Sequence, residues 1–160
     1  MLQLRSTSRD DTRDIAGALA TMVRAGDVIV LAGEMGAGKT AFAQAMGSAL
    51  GVTEPMTSPT FNLVHSHPAG RLTVHHADLY RLGTNHEVAD LAFGELAEAD
   101  GVLMVEWGDV VAASLGEHLL VRLDTVDDGE SLRRVTVAGV GRSWAARWER
   151  IERSVAGFAC

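Results

Sequence analysis

The chain has 160 residues, 47% of them hydrophobic and 22% charged, with a formal net charge of −7. That is room for one domain with a real core, residues 1–160, and too little for a second. The acidic balance argues against unaided nucleic-acid binding, because a phosphate backbone is gripped mainly by clustered Lys and Arg.

The only cysteine is Cys160, so neither a disulfide framework nor a thiol-rich metal site is expected. No apolar core of signal-peptide length follows Met1, and no run of about 18 apolar residues occurs anywhere. The expectation is a soluble cytoplasmic protein with no membrane contact.

In chain order, Ser8 or Asp10 is placed to cap a helix through about Ala25, with Ile15, Leu19, Met22 and Val23 as its apolar stripe and Gly26 ending it. Asp27–Ala32 reads as a short buried strand. It enters Gly33-Glu34-Met35-Gly36-Ala37-Gly38-Lys39-Thr40, which fits the phosphate-binding loop pattern G-x-x-x-x-G-K-[ST] at every fixed position. Lys39 is the one lysine in the chain, beside thirteen arginines, so the motif is not a by-product of a lysine-rich surface. Thr40–Leu50 then reads as a helix with Gly51 at its C-cap.

Strand, glycine loop and helix are what the chemistry needs. The backbone N–H groups of Met35, Gly36, Ala37 and Gly38 can close around phosphate oxygens, and the helix N-terminus adds partial positive charge. Lys39 is expected on the β/γ-phosphates and the Thr40 hydroxyl on Mg²⁺. With no Asn-Lys-x-Asp element for reading guanine, ATP is favoured.

Beyond this helix, Glu54–Pro59 is a loop. Thr60–His65 and Leu72–His76 read as a hairpin joined by Pro68-Ala69-Gly70. With a four-residue turn, Val74 would lie opposite His65, and His65, His67 and His76 would share a face. No cysteine or carboxylate pattern completes a zinc set around them. His86–Ala99 reads as a helix, Gly101–Val105 as a central strand, Leu119–Leu123 and Leu132–Val137 as two later strands, and Ser143–Val155 as a closing helix with Trp144 and Trp148 in the core. Arg142, Arg147, Arg150 and Arg153 read as a solvated face of that helix, with Glu149 and Glu152 interleaved.

The loop needs an acidic partner to hold Mg²⁺ and orient water, placed where strands end. Glu106, directly after the buried run Val102–Val105, and Asp78, after Leu72–His76, occupy that setting; Asp109 is a third choice. Two further classes stay open: a small-molecule kinase, weakened because only Arg71 and Arg81 lie between Ala41 and Val121, and a nucleotide-dependent binding module with incidental hydrolysis.

Taken together, Gly33–Thr40, Ser58-Pro59-Thr60-Phe61, His76-Ala77-Asp78-Leu79-Tyr80-Arg81-Leu82 and Val105-Glu106-Trp107 resemble, in order and spacing, the TsaE (YjeE) family. Those are bacterial P-loop ATPases of tRNA threonylcarbamoyladenosine biosynthesis. The resemblance implies an α/β P-loop NTPase-like domain whose mixed, mainly parallel central sheet is flanked by helices. It also implies ATP hydrolysis in company with the TsaB and TsaD proteins, which modify position 37 of tRNAs reading ANN codons, so that tRNA is met only through the complex.

On the matching motifs, Lys39 contacts phosphates, Thr40 and Glu106 ligate Mg²⁺, and Asp78 acts on the metal or the attacking water. Thr60 looks like a switch-type residue near the γ-phosphate. The base-proximal positions of the family fall at about Ser8 and Arg9 and at Arg133 or Arg134, with Arg134 taken as the match.

Overall fold

The computed structural model describes residues 1–57, 64–70, 72–79, 100–107, 112–126 and 131–160. Seven strands form one sheet in the order β1-β7-β6-β2-β5-β4-β3. They are β1 (Leu2–Ser6), β2 (Val28–Ala32), β3 (Val64–Ala69), β4 (Leu72–Asp78), β5 (Gly101–Glu106), β6 (His118–Thr125) and β7 (Arg133–Val140). The four central strands β6, β2, β5 and β4 are parallel, whereas β3, β7 and β1 join antiparallel. This is the mixed, centrally parallel sheet expected from the resemblance.

Every residue of β2 and β5 is buried, as a strand covered on both faces must be. Alternation along β2 sends Ile29 and Leu31 to one face and Val28 and Val30 to the other. The first face is packed by α1 (Arg9–Ala20) and α2 (Lys39–Leu50), through Ile15, Leu19, Phe42 and Met46. Trp144 from α3 (Arg142–Ala145), Ile151 from α4 (Trp148–Ser154) and Val155 directly after it complete this core. Among the described residues no helix is long and apolar enough to cross a membrane.

Several sequence expectations change here. The first five residues after Met1 form a strand that was not anticipated, β1, paired with β7. Helix α1 stops at Ala20 rather than about Ala25, because the chain turns at Gly26 (φ 90°) and the Asp27 carboxylate accepts from the Arg24 N–H at 2.8 Å. The hairpin register is set by a longer β3, so that His65 lies opposite His76 and His67 opposite Val74. Pro68 is tolerated within β3 because this strand is the sheet edge, where a missing N–H breaks no ladder.

The closing helix is broken into α3 and α4, and Arg147 at the break is 3% exposed instead of solvated. Arg153 and Glu149, by contrast, do form the exposed i,i+4 pair, at 3.1 Å. Residues 60–63 of the expected Thr60–His65 strand, the helix at 86–99, and Thr60, Arg71, Arg81 and Asp109 lie outside the described residues.

Candidate functional site

The loop between β2 and α2 is shaped by glycines that hold positive φ at Gly33, Gly36 and Gly38. At Gly33 (φ +135°) a Cβ would lie 2.2 Å from the Leu123 carbonyl oxygen, so β6 presses directly on the loop's first residue. Gly38 at φ 107° is the N-cap of α2, and no side chain caps that helix start. The first N–H groups of α2 therefore face the loop's concavity with no protein side chain upon them.

Lys39, the first residue of α2, is 5% exposed. Its ammonium donates to the carbonyls of Gly33 (2.8 Å) and Glu34 (2.7 Å) and sits 3.9 Å from the centre of the Trp107 ring. Trp107 holds φ 62°, a left-handed conformation uncommon for a bulky residue. This turn directly after β5 brings its ring over the lysine.

Parallel pairing of β4 with β5 sets Asp78 beside Glu106 at the carboxyl ends of the two strands. Glu106 is 2% exposed, and each of its oxygens has a partner. The Thr40 hydroxyl donates to Oε1 at 2.7 Å, and His76 Nε2 lies 2.5 Å from Oε2. Lys39, Thr40, Asp78, Glu106 and Trp107, with Met35, Gly36 and Gly38 of the loop, line a cavity of about 320 Å³. Seven of the residues singled out in the sequence (Met35, Gly36, Gly38, Lys39, Thr40, Asp78 and Glu106) therefore meet at one place.

A second cavity, of about 450 Å³, opens on the other side of the loop. Ser8, Arg9, Arg13 and Arg133 line it opposite Gly36, Ala37 and Gly38. The corner carrying Ser8 and Arg9 is well held. Ser8 Oγ accepts from the Asp11 N–H at 3.0 Å, and Asp11 accepts from the Thr7 hydroxyl and N–H at 2.7 and 2.8 Å. Those Thr7 bonds pull the Asp11 carboxyl below its ordinary pKa.

Arg133 Nε donates to the Ala37 carbonyl at 3.0 Å, tying β7 to the loop. Arg134 is set apart from this cavity. It lines a depression of about 260 Å³ with Arg5 and Cys160, one strand position further along β7.

Among the described residues no group of three or more His, Cys, Asp or Glu is placed to hold a metal ion. His67 pairs with Glu54 at 2.6 Å, and burial pulls the His75 pKa down. Sequence reading did not find His76 as a partner of Glu106, nor Trp107 over Lys39, nor Arg13 in the second cavity. The only available signal for Arg13 was its spacing four residues after Arg9 on α1.

Three comparisons with known proteins bear on this site. The model of the family described as "Threonylcarbamoyl adenosine biosynthesis protein TsaE" matches residues 6–135. The chain is 41% identical over 140 residues to the Streptomyces coelicolor tRNA threonylcarbamoyladenosine biosynthesis protein TsaE, covering 83% of this chain and 93% of that one. It is 33% identical over 153 residues to the Bacillus subtilis protein of the same name, covering 95% and 94%. The crystal structure of Bacillus subtilis YdiB superimposes with a TM-score of 0.76 at 28% identity, over 95% of this chain and 94% of that one. The loop after β2, the two carboxylates at the ends of β4 and β5, and a family match running from the first strand into the last are one result: this chain belongs to the TsaE family.

Proposed function

We propose that this protein binds ATP with Mg²⁺ and hydrolyses it as one P-loop ATPase domain, and that it works with TsaB and TsaD to form N6-threonylcarbamoyladenosine at position 37 of tRNAs reading ANN codons. A cytoplasmic location goes with that substrate. The observation that carries the reading is the 2.7 Å contact between the Thr40 hydroxyl and Glu106. It brings two hard oxygen donors together at the mouth of the loop, a donor set suited to Mg²⁺, which prefers carboxylate and hydroxyl oxygen beside substrate phosphates. When bound, Mg²⁺ would neutralise charge on the phosphate oxygens.

The chain's own residues supply the rest. The uncapped N–H groups of α2 and the Lys39 ammonium receive the phosphates. Asp78, at the rim of the same cavity, orients the attacking water or supports the cation. Thr60 is assigned a switch-type role by resemblance alone. Ser8, Arg9 and Arg133, which line the second cavity across the loop, would lie near the base. Arg134 belongs to this set only if the 260 Å³ depression is also used.

Phosphoryl transfer usually needs a positive group on the γ-phosphate, often an arginine. In the described part of the phosphate cavity no arginine is among the lining residues. Slow turnover by the isolated chain follows, raised by TsaB and TsaD. A steady-state ATPase assay on purified components tests this. Fast turnover that ignores both partners, or turnover proportional to an added metabolite, would overturn it in favour of a stand-alone enzyme or a kinase.

A further inference from the structure

We infer that His76 is a positioning residue for Glu106: it fixes one carboxylate oxygen so that the other is presented beside the Thr40 hydroxyl, and so sets the affinity of the site for the divalent cation that accompanies the nucleotide. The inference rests on the reading of the site given above. His76 is fully buried. It pairs with Met104 on β5, while Asp78 pairs with Glu106. The imidazole therefore stands on the same sheet face as Glu106, one pleat deeper.

From there Nε2 reaches Oε2 at 2.5 Å. Facing an ionised carboxylate, which only accepts hydrogen bonds, Nε2 would be the donor. The other ring nitrogen, Nδ1, is buried with no hydrogen-bond partner. A buried unpaired polar atom is costly, and an apolar side chain beside Val74 and Met104 would avoid it. Among the described residues, the imidazole's one hydrogen bond is to Glu106.

With both oxygens anchored, by Thr40 on Oε1 and by His76 on Oε2, the carboxylate cannot rotate about its terminal bond. A Glu106 held by Thr40 alone would keep one oxygen fixed and lose the bond that fixes the other. Loss of such an orienting bond to a metal-binding group typically weakens metal binding about 10–100-fold.

The test compares wild type with His76→Leu, His76→Asn and His76→Gln. Glutamine carries its amide N–H near the position of Nε2, whereas asparagine carries it near Nδ1 and falls short of Glu106. Binding of a fluorescent ATP analogue is measured without Mg²⁺ and across a Mg²⁺ titration, with thermal melting of the ligand-free proteins alongside.

The expected result is Mg²⁺-free binding within about 2-fold of wild type in all variants. The Mg²⁺ midpoint rises about 10–100-fold in His76→Leu and His76→Asn and returns to within about 3-fold of wild type in His76→Gln. Should His76→Leu fail to melt cooperatively, the Asn and Gln pair carries the comparison. A Mg²⁺ midpoint equal to wild type in the Asn variant, or equally raised in Asn and Gln, overturns the inference while leaving the site reading intact. A wild type whose binding ignores Mg²⁺ overturns that reading, and this inference with it.

Discussion

Arg147→Met removes the most heavily bonded buried charge described in the molecule. The guanidinium donates to both Asp27 oxygens at 2.6 and 2.9 Å, to the Met22 carbonyl at 2.7 Å, and to the carbonyl and hydroxyl of Ser143 at 3.0 and 2.7 Å. Its flat face lies 3.9 Å from the Trp144 ring. Methionine keeps most of the stem and its packing, so the loss is chiefly electrostatic.

What remains is an Asp27 carboxylate, 7% exposed, with the Arg24 N–H as its partner. Breaking a buried pair by removing one member costs about 3–5 kcal/mol. At about 2–4 °C per kcal/mol for a chain of this size, the melting temperature should fall by about 6–20 °C. Calorimetry and urea unfolding would measure it. The double variant Asp27→Leu, Arg147→Met should recover part of the loss, since no charge is then left buried alone. A single variant melting within about 2 °C of wild type would refute the reasoning and return Arg147 to the solvated face on which its sequence neighbours place it.

Three further outcomes are expected. Lys39 is the only lysine, so an acyl-phosphate analogue of ATP should label one side chain, and excess ATP should block it; labelling unaffected by saturating ATP would mean that Lys39 does not face the phosphates. Glu106→Ala and Asp78→Ala should each lower ATP turnover about 100-fold or more, equivalent to about 3 kcal/mol of transition-state stabilisation, with smaller effects on binding; wild-type turnover in either removes that residue from the site. The Asp11 carboxyl has a lowered pKa in the folded protein, so its stabilising effect is present above the ordinary carboxylate range and is lost as pH falls through the lowered value. Asp11→Asn should therefore be less stable than wild type at neutral pH, and denaturation at strongly acidic pH should find the gap closed. A gap that persists there contradicts the assignment.

What could be read in the sequence was local. The loop from Gly33 to Thr40 and its flanking strand and helix are contiguous, and α2 ends at Gly51 as composition indicated. Glu106 and Asp78 were legible because strand ends in an α/β sheet have a fixed relation to a loop of this kind.

The misses depend on partners far away in the chain. Leu2, Leu4 and Ser6 face inward between Gln3 and Arg5, an alternation that was present to be read. Only pairing with β7 makes a strand of it. The contact between His76 and Glu106 requires the parallel register of β4 on β5, which no local pattern encodes. Arg147 shares its segment with Glu149, Arg150 and Glu152, and only Asp27, on the other side of the molecule's core in sequence terms, draws it inward.

The long separations also carry a kinetic consequence. Thr40 meets Glu106 across 66 positions, Arg133 meets Ala37 across 96, and Arg147 meets Asp27 across 120. Contacts of this kind close large loops before any contact rewards them, so a high contact order and slow, late-committing folding are built into the topology. During synthesis the phosphate loop leaves the ribosome long before β5, β6 and β7 exist to brace it. At that stage it is a glycine-rich segment without a carboxylate or a sheet behind it. On the proposed function, nucleotide affinity should therefore appear only as the last strands close.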